Sequence, residues 1–238
     1  MESIKNIYRI GCGPSSSHTM APRRAAQEFL SQTPDASAYK VVLYGSLAAT
    51  GRGHLTDAAI TDVLSKSAPI TIEWRPQEVL PEHPNGMRFE AMDEHGAVMR
   101  SWTTFSVGGG ALAEETDNKD SINTPEVYDM NRMTDILNWC EHTGKNYWEY
   151  VLQCEDSDIW DYLNEVWKTM KASVERGLDA EGVLPGPLNL RRKASAYYIK
   201  ASGYKASLQS RGLVFSYALA VSEENASGGV IVTAPTCG

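Results

Sequence analysis

The sequence predicts an α+β N-terminal domain followed by an incomplete all-α domain, and three observations carry that expectation. Up to about residue 112, β-branched and aromatic runs alternate with two stretches of helical spacing. From 114 to 124 the chain is polar, rich in Asp and Asn, and shows no period, which marks a linker. Beyond it apolar residues recur at helical spacing. The expected division is residues 1–113, a linker at 114–124 and a helical segment at 125–238.

Each element has its own signal. After Ser15, Ser16 and Ser17, the positions Ala21, Ala25, Phe29 and Leu30 share one helical face. Tyr39 to Tyr44 is β-branched and aromatic enough to be a buried strand. Thr56 to Ser65 places Ala59, Ile60, Val63 and Leu64 on one side of a helix, with Thr56 as its N-cap. Ile70–Trp74, Met87–Met92 and Val98–Val107 read as three further strands, separated by the turns at 83–86 and 93–96. In the helical segment, Thr124 and Pro125 give an N-cap and a proline at the first helical position. Val127, Met130, Met133, Leu137 and Cys140 follow as one stripe. A longer stripe runs from Ile159 through Val174 to a stop at Gly177. Leu184–Pro187 breaks the chain, and helices are expected at Arg191–Ser202 and Leu208–Asn225. The closing run Val230–Gly238 looks buried and should lead into more structure.

The 238 residues fit one large or two small domains. Asp and Glu number 30 against 22 Lys and Arg, a net charge of −8, which excludes a general nucleic-acid binder. A chain 42% hydrophobic and 22% charged is not intrinsically disordered. No apolar run reaches the roughly 18 residues of a membrane span, and Met-Glu-Ser-Ile-Lys-Asn is no secretory leader. Cys12, Cys140, Cys154 and Cys237 lie far apart, as reduced thiols in a cytoplasmic protein would.

Chemistry concentrates in two glycine-bordered clusters. Gly11 to Thr19 puts a tight turn and three serines ahead of a helix, where hydroxyls and free amides suit a carboxylate or phosphate. His18, one turn in, can transfer a proton there; the plainer reading makes Ser15 a cap and His18 a surface residue. Tyr44 to Asp57 follows the first strong strand and offers Arg52, His54 and Asp57 among three glycines. Asp57 either orients His54 or bonds a helix amide. Ser106 to Ala113 contains a GxGxxA match, but a polar linker follows where a dinucleotide fold requires a helix, so a chain-turning glycine run fits better. Arg191–Lys193 reads as a carboxylate anchor or a solvated basic face, and Glu223–Asn225 before Gly228 as a polar site or a helix end.

Taken together, Gly-Pro-Ser-Ser-Ser-His-Thr at 13–19, Leu-Tyr-Gly-Ser-Leu-Ala-Ala-Thr-Gly-Arg-Gly-His at 43–54 and Ser-Val-Gly-Gly-Gly at 106–110 resemble the iron–sulfur L-serine dehydratases. Leu-Pro-Gly-Pro at 184–187, Arg-Arg-Lys-Ala at 191–194 and the run at 222–236 extend the likeness over nearly the whole chain, in the order of the bacterial single-chain form. The resemblance implies a β domain similar to the allosteric substrate-binding domain of phosphoglycerate dehydrogenases, ahead of a helical catalytic domain. It implies deamination of L-serine to pyruvate and ammonia assisted by a [4Fe–4S] cluster, in a homo-oligomer that binds neither nucleic acid nor membrane. By motif, His18 and His54 would move protons, and Ser16, Ser17, Thr19, Asn225 and Thr236 would hold substrate.

In that family the cluster-ligand cysteines follow the Ala-Pro-Thr loop, so they are expected beyond Gly238, with no metal ligand in this chain. The expected consequence is a fragment that binds no cluster, does not turn over serine, and exposes Leu213, Tyr217, Ala220 and Val221 to the rest of the helical domain. The competing reading is a non-catalytic module that binds serine or docks on a helical domain. A hydrolase with Ser16 or Ser17 as nucleophile is more distant, because no GxSxG surrounds them.

Overall fold

The computed structural model describes residues 1–114, 126–186, 188–234 and 237. After a single 3-10 turn, Ile4–Asn6, the chain forms strand β1 (Arg9–Cys12), a π-helical turn at Ser16–Met20, and helix α1 (Ala21–Gln32). Strand β2 (Ala38–Tyr44) leads into helices α2 (Gly45–Thr50) and α3 (Thr56–Leu64) and then β3 (Ile70–Arg75). Strands β4 (Gly86–Met92), β5 (Val98–Gly108) and β6 (Ala111–Glu114) follow as antiparallel neighbours. The sheet order is β3-β2-β4-β5-β6. Only β2 and β3 run parallel, because a helical crossover joins them.

Period-two alternation explains why one face of this sheet is covered. Tyr39, Val41 and Leu43 of β2 stand opposite Ala91, Phe89 and Met87 of β4, and all six are buried. Ala25, Ala26 and Phe29 of α1 and Ile60, Val63 and Leu64 of α3 close over them. Phe29 stacks on Trp102 with 6.3 Å between ring centroids. Each such fully buried large side chain contributes about 1.5–3 kcal/mol. The other face carries ion pairs, among them Lys40–Glu73 and Arg75–Glu78. The expected strands and two helices are all present; β1, β6 and α2 are additional.

The glycine run at 108–110 is the β5–β6 hairpin turn, with positive φ at all three residues, so no helix follows and no dinucleotide site forms. Thr56 is not the N-cap expected of it: Leu55 holds that position in a left-handed conformation, and the Thr56 hydroxyl is used elsewhere.

The helical part contains α4 (Met133–Thr143), α5 (Tyr147–Cys154), α6 (Ile159–Asp179), α7 (Ala194–Ser202) and α8 (Ala206–Ala226). Thr124 and Pro125 lie outside the described residues, and the first of these helices begins only at Met133, because the amides of Val127 and Tyr128 bond instead to the carbonyl of Met1. Gly177 lies inside α6 and does not stop it. A Cβ there would stand 2.2 Å from the carbonyl oxygen of Ala220, so the glycine lets α6 and α8 touch backbone to backbone. Ala220 is accordingly buried and Leu213 and Val221 are half-buried, so of the four apolar residues expected to be exposed on α8 only Tyr217 is, beside Leu208, Val214 and Phe215.

The two ends of the chain pair with each other. Strand β7 (Val230–Thr233) lies antiparallel to β1, Arg9 opposite Thr233 and Cys12 opposite Val230. The carboxylate of Glu155 accepts from the Ser3 hydroxyl at 2.7 Å, the Ile4 amide at 2.9 Å and the Tyr128 hydroxyl at 2.6 Å. Residues 1–12 thereby pack on the helical part, and the chain enters the sheet domain through the loop at Gly13–Ser15.

Candidate active site

That loop and the turn after β2 build the site. Ser15 is extended, and its hydroxyl accepts the His18 amide at 3.1 Å, as a cap does. The turn Ser16–Met20 is wider than an α-helical one and runs directly into α1. The Thr19 hydroxyl donates to the carbonyl of His54 at 2.6 Å, and the Thr56 hydroxyl donates to the carbonyl of His18 at 2.5 Å. Both threonines are buried. Each histidine is thus held at its backbone by a threonine from the other loop, and the imidazoles meet with centroids 4.9 Å apart, tilted by 49°.

The two rings have different surroundings. Nδ1 of His18 is 2.9 Å from the Ser17 hydroxyl, and Nε2 is 3.2 Å from the Ser46 hydroxyl. A hydroxyl can donate or accept, so these contacts support either neutral tautomer. Burial, and then the neighbouring His54, push the His18 imidazole below its ordinary 6.5, against the opposing influence of Ser46. His54 makes no side-chain hydrogen bond among the described residues. At neutral pH His18 is a neutral imidazole able to accept a proton beside a second imidazole whose ring is unencumbered.

The helical part adds a third wall. Nδ2 of Asn225, near the end of α8, donates to the carbonyl of Pro14 at 3.2 Å, while its Oδ1 is buried without a hydrogen-bond partner. A Cβ on Gly13 would lie 2.2 Å from that oxygen, so only glycine allows this approach. Cys237 lies against the backbone of Ser16, and burial pushes its thiol up. Of the seven residues singled out in the sequence, His18, His54, Ser16, Ser17 and Thr19 come together, and Asn225 reaches the loop in front of them. Thr236 lies outside the described residues. The Thr19 hydroxyl is engaged with His54 and the Ser15 amide, which makes it a brace between loops.

Several neighbours have other tasks. Asp57 accepts from the Ala58 amide and so does not orient His54. Arg52 lies over the Trp74 ring. Arg192 faces Glu224 and donates to Ser227, while Glu223 caps α7 through the amides of Lys193 and Ala194. Ser46 and Thr56 were not singled out as site residues; Ser46 follows a strand and a glycine, and Thr56 is concealed by its resemblance to a helix cap.

The described residues hold no group of three or more His, Cys, Asp or Glu arranged to bind a metal ion. Cys12, Cys140 and Cys154 are free thiols on β1, α4 and α5, and Cys237, also free, lies by Ser16. This donor set does not fit a [4Fe–4S] cluster, which needs several thiolates around one site. Among the described residues no helix is long and apolar enough to cross a membrane.

Comparison with known proteins gives a consistent result. The serine dehydratase beta chain family matches residues 3–75 and 64–117. Over the full chain, 34% of residues are identical to L-serine dehydratase 1 of Escherichia coli, with 63% of that protein covered. The L-serine dehydratase of Haemophilus influenzae is 33% identical, with 64% of it covered by this whole chain. That of Streptomyces coelicolor is 32% identical over 99% of this chain and 63% of its own length. The chain thus spans somewhat less than two thirds of these relatives.

Proposed function

From these matches we propose that this chain belongs to the L-serine dehydratase family and that its paired imidazoles serve the deamination of L-serine to pyruvate and ammonia. The observation that carries the reading is the approach of His18 and His54, 4.9 Å apart, behind a serine-rich helical turn. In the overall change the α-proton and the β-hydroxyl leave serine together as water, and the resulting aminoacrylate tautomerises and is hydrolysed. His18, held neutral, is suited to take the α-proton, and Ser17 and Ser46 fix the plane of its ring. His54 stands where a proton can pass between the rings. Ser16, Ser17 and Asn225 surround the place for the carboxylate, with Thr19 bracing the two loops. The β-hydroxyl is a poor leaving group, and the iron–sulfur assistance that the family likeness implies calls for thiolates that the described residues do not assemble.

That donor set favours a second reading, in which the chain binds serine without turning it over. Calorimetric titration with L-serine, together with a pyruvate assay after anaerobic reconstitution with iron and sulfide, separates the two. Saturable binding that weakens about tenfold or more in His18→Ala and Ser17→Ala supports the serine site. Pyruvate formation assigns catalysis to this chain, and binding without pyruvate assigns the module. Absence of serine binding to the folded chain overturns both.

A further inference from the structure

A second cleft, of about 450 Å³, opens between β1 and α1, away from the imidazole pair, and Lys5, Asn6, Arg9, Arg23, Arg24 and Gln27 are among its lining residues. Four cations line it and no carboxylate does, in a chain whose net charge is −8. Two of the four are neutralised from outside: Lys5 pairs with Asp158 and Arg23 with Asp62, each at 2.5 Å. Arg9 and Arg24 have no ion pair among the described residues. Arg9 is oriented by a bond from its guanidinium to the carbonyl of Gly109 in the β5–β6 turn. Burial first, and then the charge of Arg24, hold its guanidinium below its ordinary range, with Glu2 and Tyr162 opposing at longer reach. Two like charges that line one cleft repel, and an anion seated between them turns that repulsion into attraction.

We propose that this cleft binds a small phosphate-class oxyanion, free or as a phosphomonoester, between the guanidinium groups of Arg9 and Arg24. Two planar forks, with the side-chain amide of Gln27 also lining the cleft, present more donors than one carboxylate uses, and a dianion matches both charges. The residues are separate from His18 and His54, so this site stands or falls independently of the serine reading. It does share strand β1 with the site loop, since Gly11 and Cys12 line the cleft and lead directly into Gly13.

Calorimetric titration of the full chain with inorganic phosphate, at constant ionic strength in chloride buffer, tests this. Saturable binding of one phosphate per chain is expected, weakening with added salt and about tenfold or more in Arg24→Gln. Arg24 is exposed and has no ion pair among the described residues, so that variant folds; Arg9→Gln should show the same loss, and Arg100→Gln, on β5, should not. Glycerol 3-phosphate binding more tightly than phosphate assigns a phosphomonoester, and equal binding assigns the free ion. No saturable binding, acetate binding as tightly as phosphate, or unchanged affinity in both arginine variants overturns the proposal.

Discussion

The hydroxyl of Thr19 donates to the backbone carbonyl of His54, 35 residues further along the chain. Thr56 returns the bond to the carbonyl of His18. Replacing either threonine with valine keeps the shape and leaves a carbonyl unpaired in a buried place. Each change should cost about 1–3 kcal/mol in urea denaturation, and Thr19→Ser should recover most of it. Equal stability of Thr19→Val and the parent chain would show that the clasp does not hold the loops.

The His18 imidazole should titrate below 6.5, and NMR observation of its C2 proton measures this directly. In His54→Gln the neighbouring charge is removed while the carbonyl that Thr19 uses remains, so the midpoint should rise. The sign for stability follows. Folding favours neutral His18, so its contribution is complete above the unfolded value near 6.5 and is lost as pH falls through the lower folded value. A midpoint unmoved by the His54 change would separate the two rings electrostatically.

Gly177→Ala reverses the usual helix rule. In an open helix the change stabilises by up to about 1 kcal/mol. Here the new Cβ meets the Ala220 carbonyl at 2.2 Å, backbone that cannot swing aside. The helices must separate, and a loss of about 3 kcal/mol is expected by thermal or urea unfolding. A stabilised variant would mean that α6 and α8 do not cross so closely.

Glu155 ties the N-terminal segment to the helices. Burial alone would raise its carboxyl, but bonds from Tyr128, Ser3 and the Ile4 amide outweigh burial and hold it below the ordinary 4.5. Its stabilisation is therefore present above pH 4.5 and lost as acid carries the solution through the lower folded value. Glu155→Ala should cost about 2–3 kcal/mol at neutral pH and speed amide exchange at residues 4–8. Unchanged exchange there would show that the segment is held by other contacts.

Much of the sheet was legible because its strands obey local rules: Val41, Leu43, Met87 and Phe89 announce a buried face by alternation and β-branching. The two histidine loops were legible as chemistry because polar residues cluster there between glycines. The rest depends on partners distant in sequence. β1 is four residues without a signal of its own, and the apolar run that forms β7 names no partner until β1 is known. Thr56 follows the capping rule in sequence and departs from it in space, because the carbonyl of His18 is a partner that no local window contains. Gly177 read as a stop because the touching backbone of Ala220 lies 43 positions away. The helix begins at Met133, later than its apolar stripe, because Val127 and Tyr128 are claimed by Met1.

The pairing of Arg9 with Thr233 has a consequence in time. A ribosome releases residues 9–12 more than two hundred residues ahead of their strand partner. The histidines can meet as soon as residues 18 to 56 are out, but the wall that Asn225 raises against Pro14 must await synthesis through residue 225. Until then the serine-rich turn stays open on one side, so competence for ligand comes well after the two imidazoles can first meet.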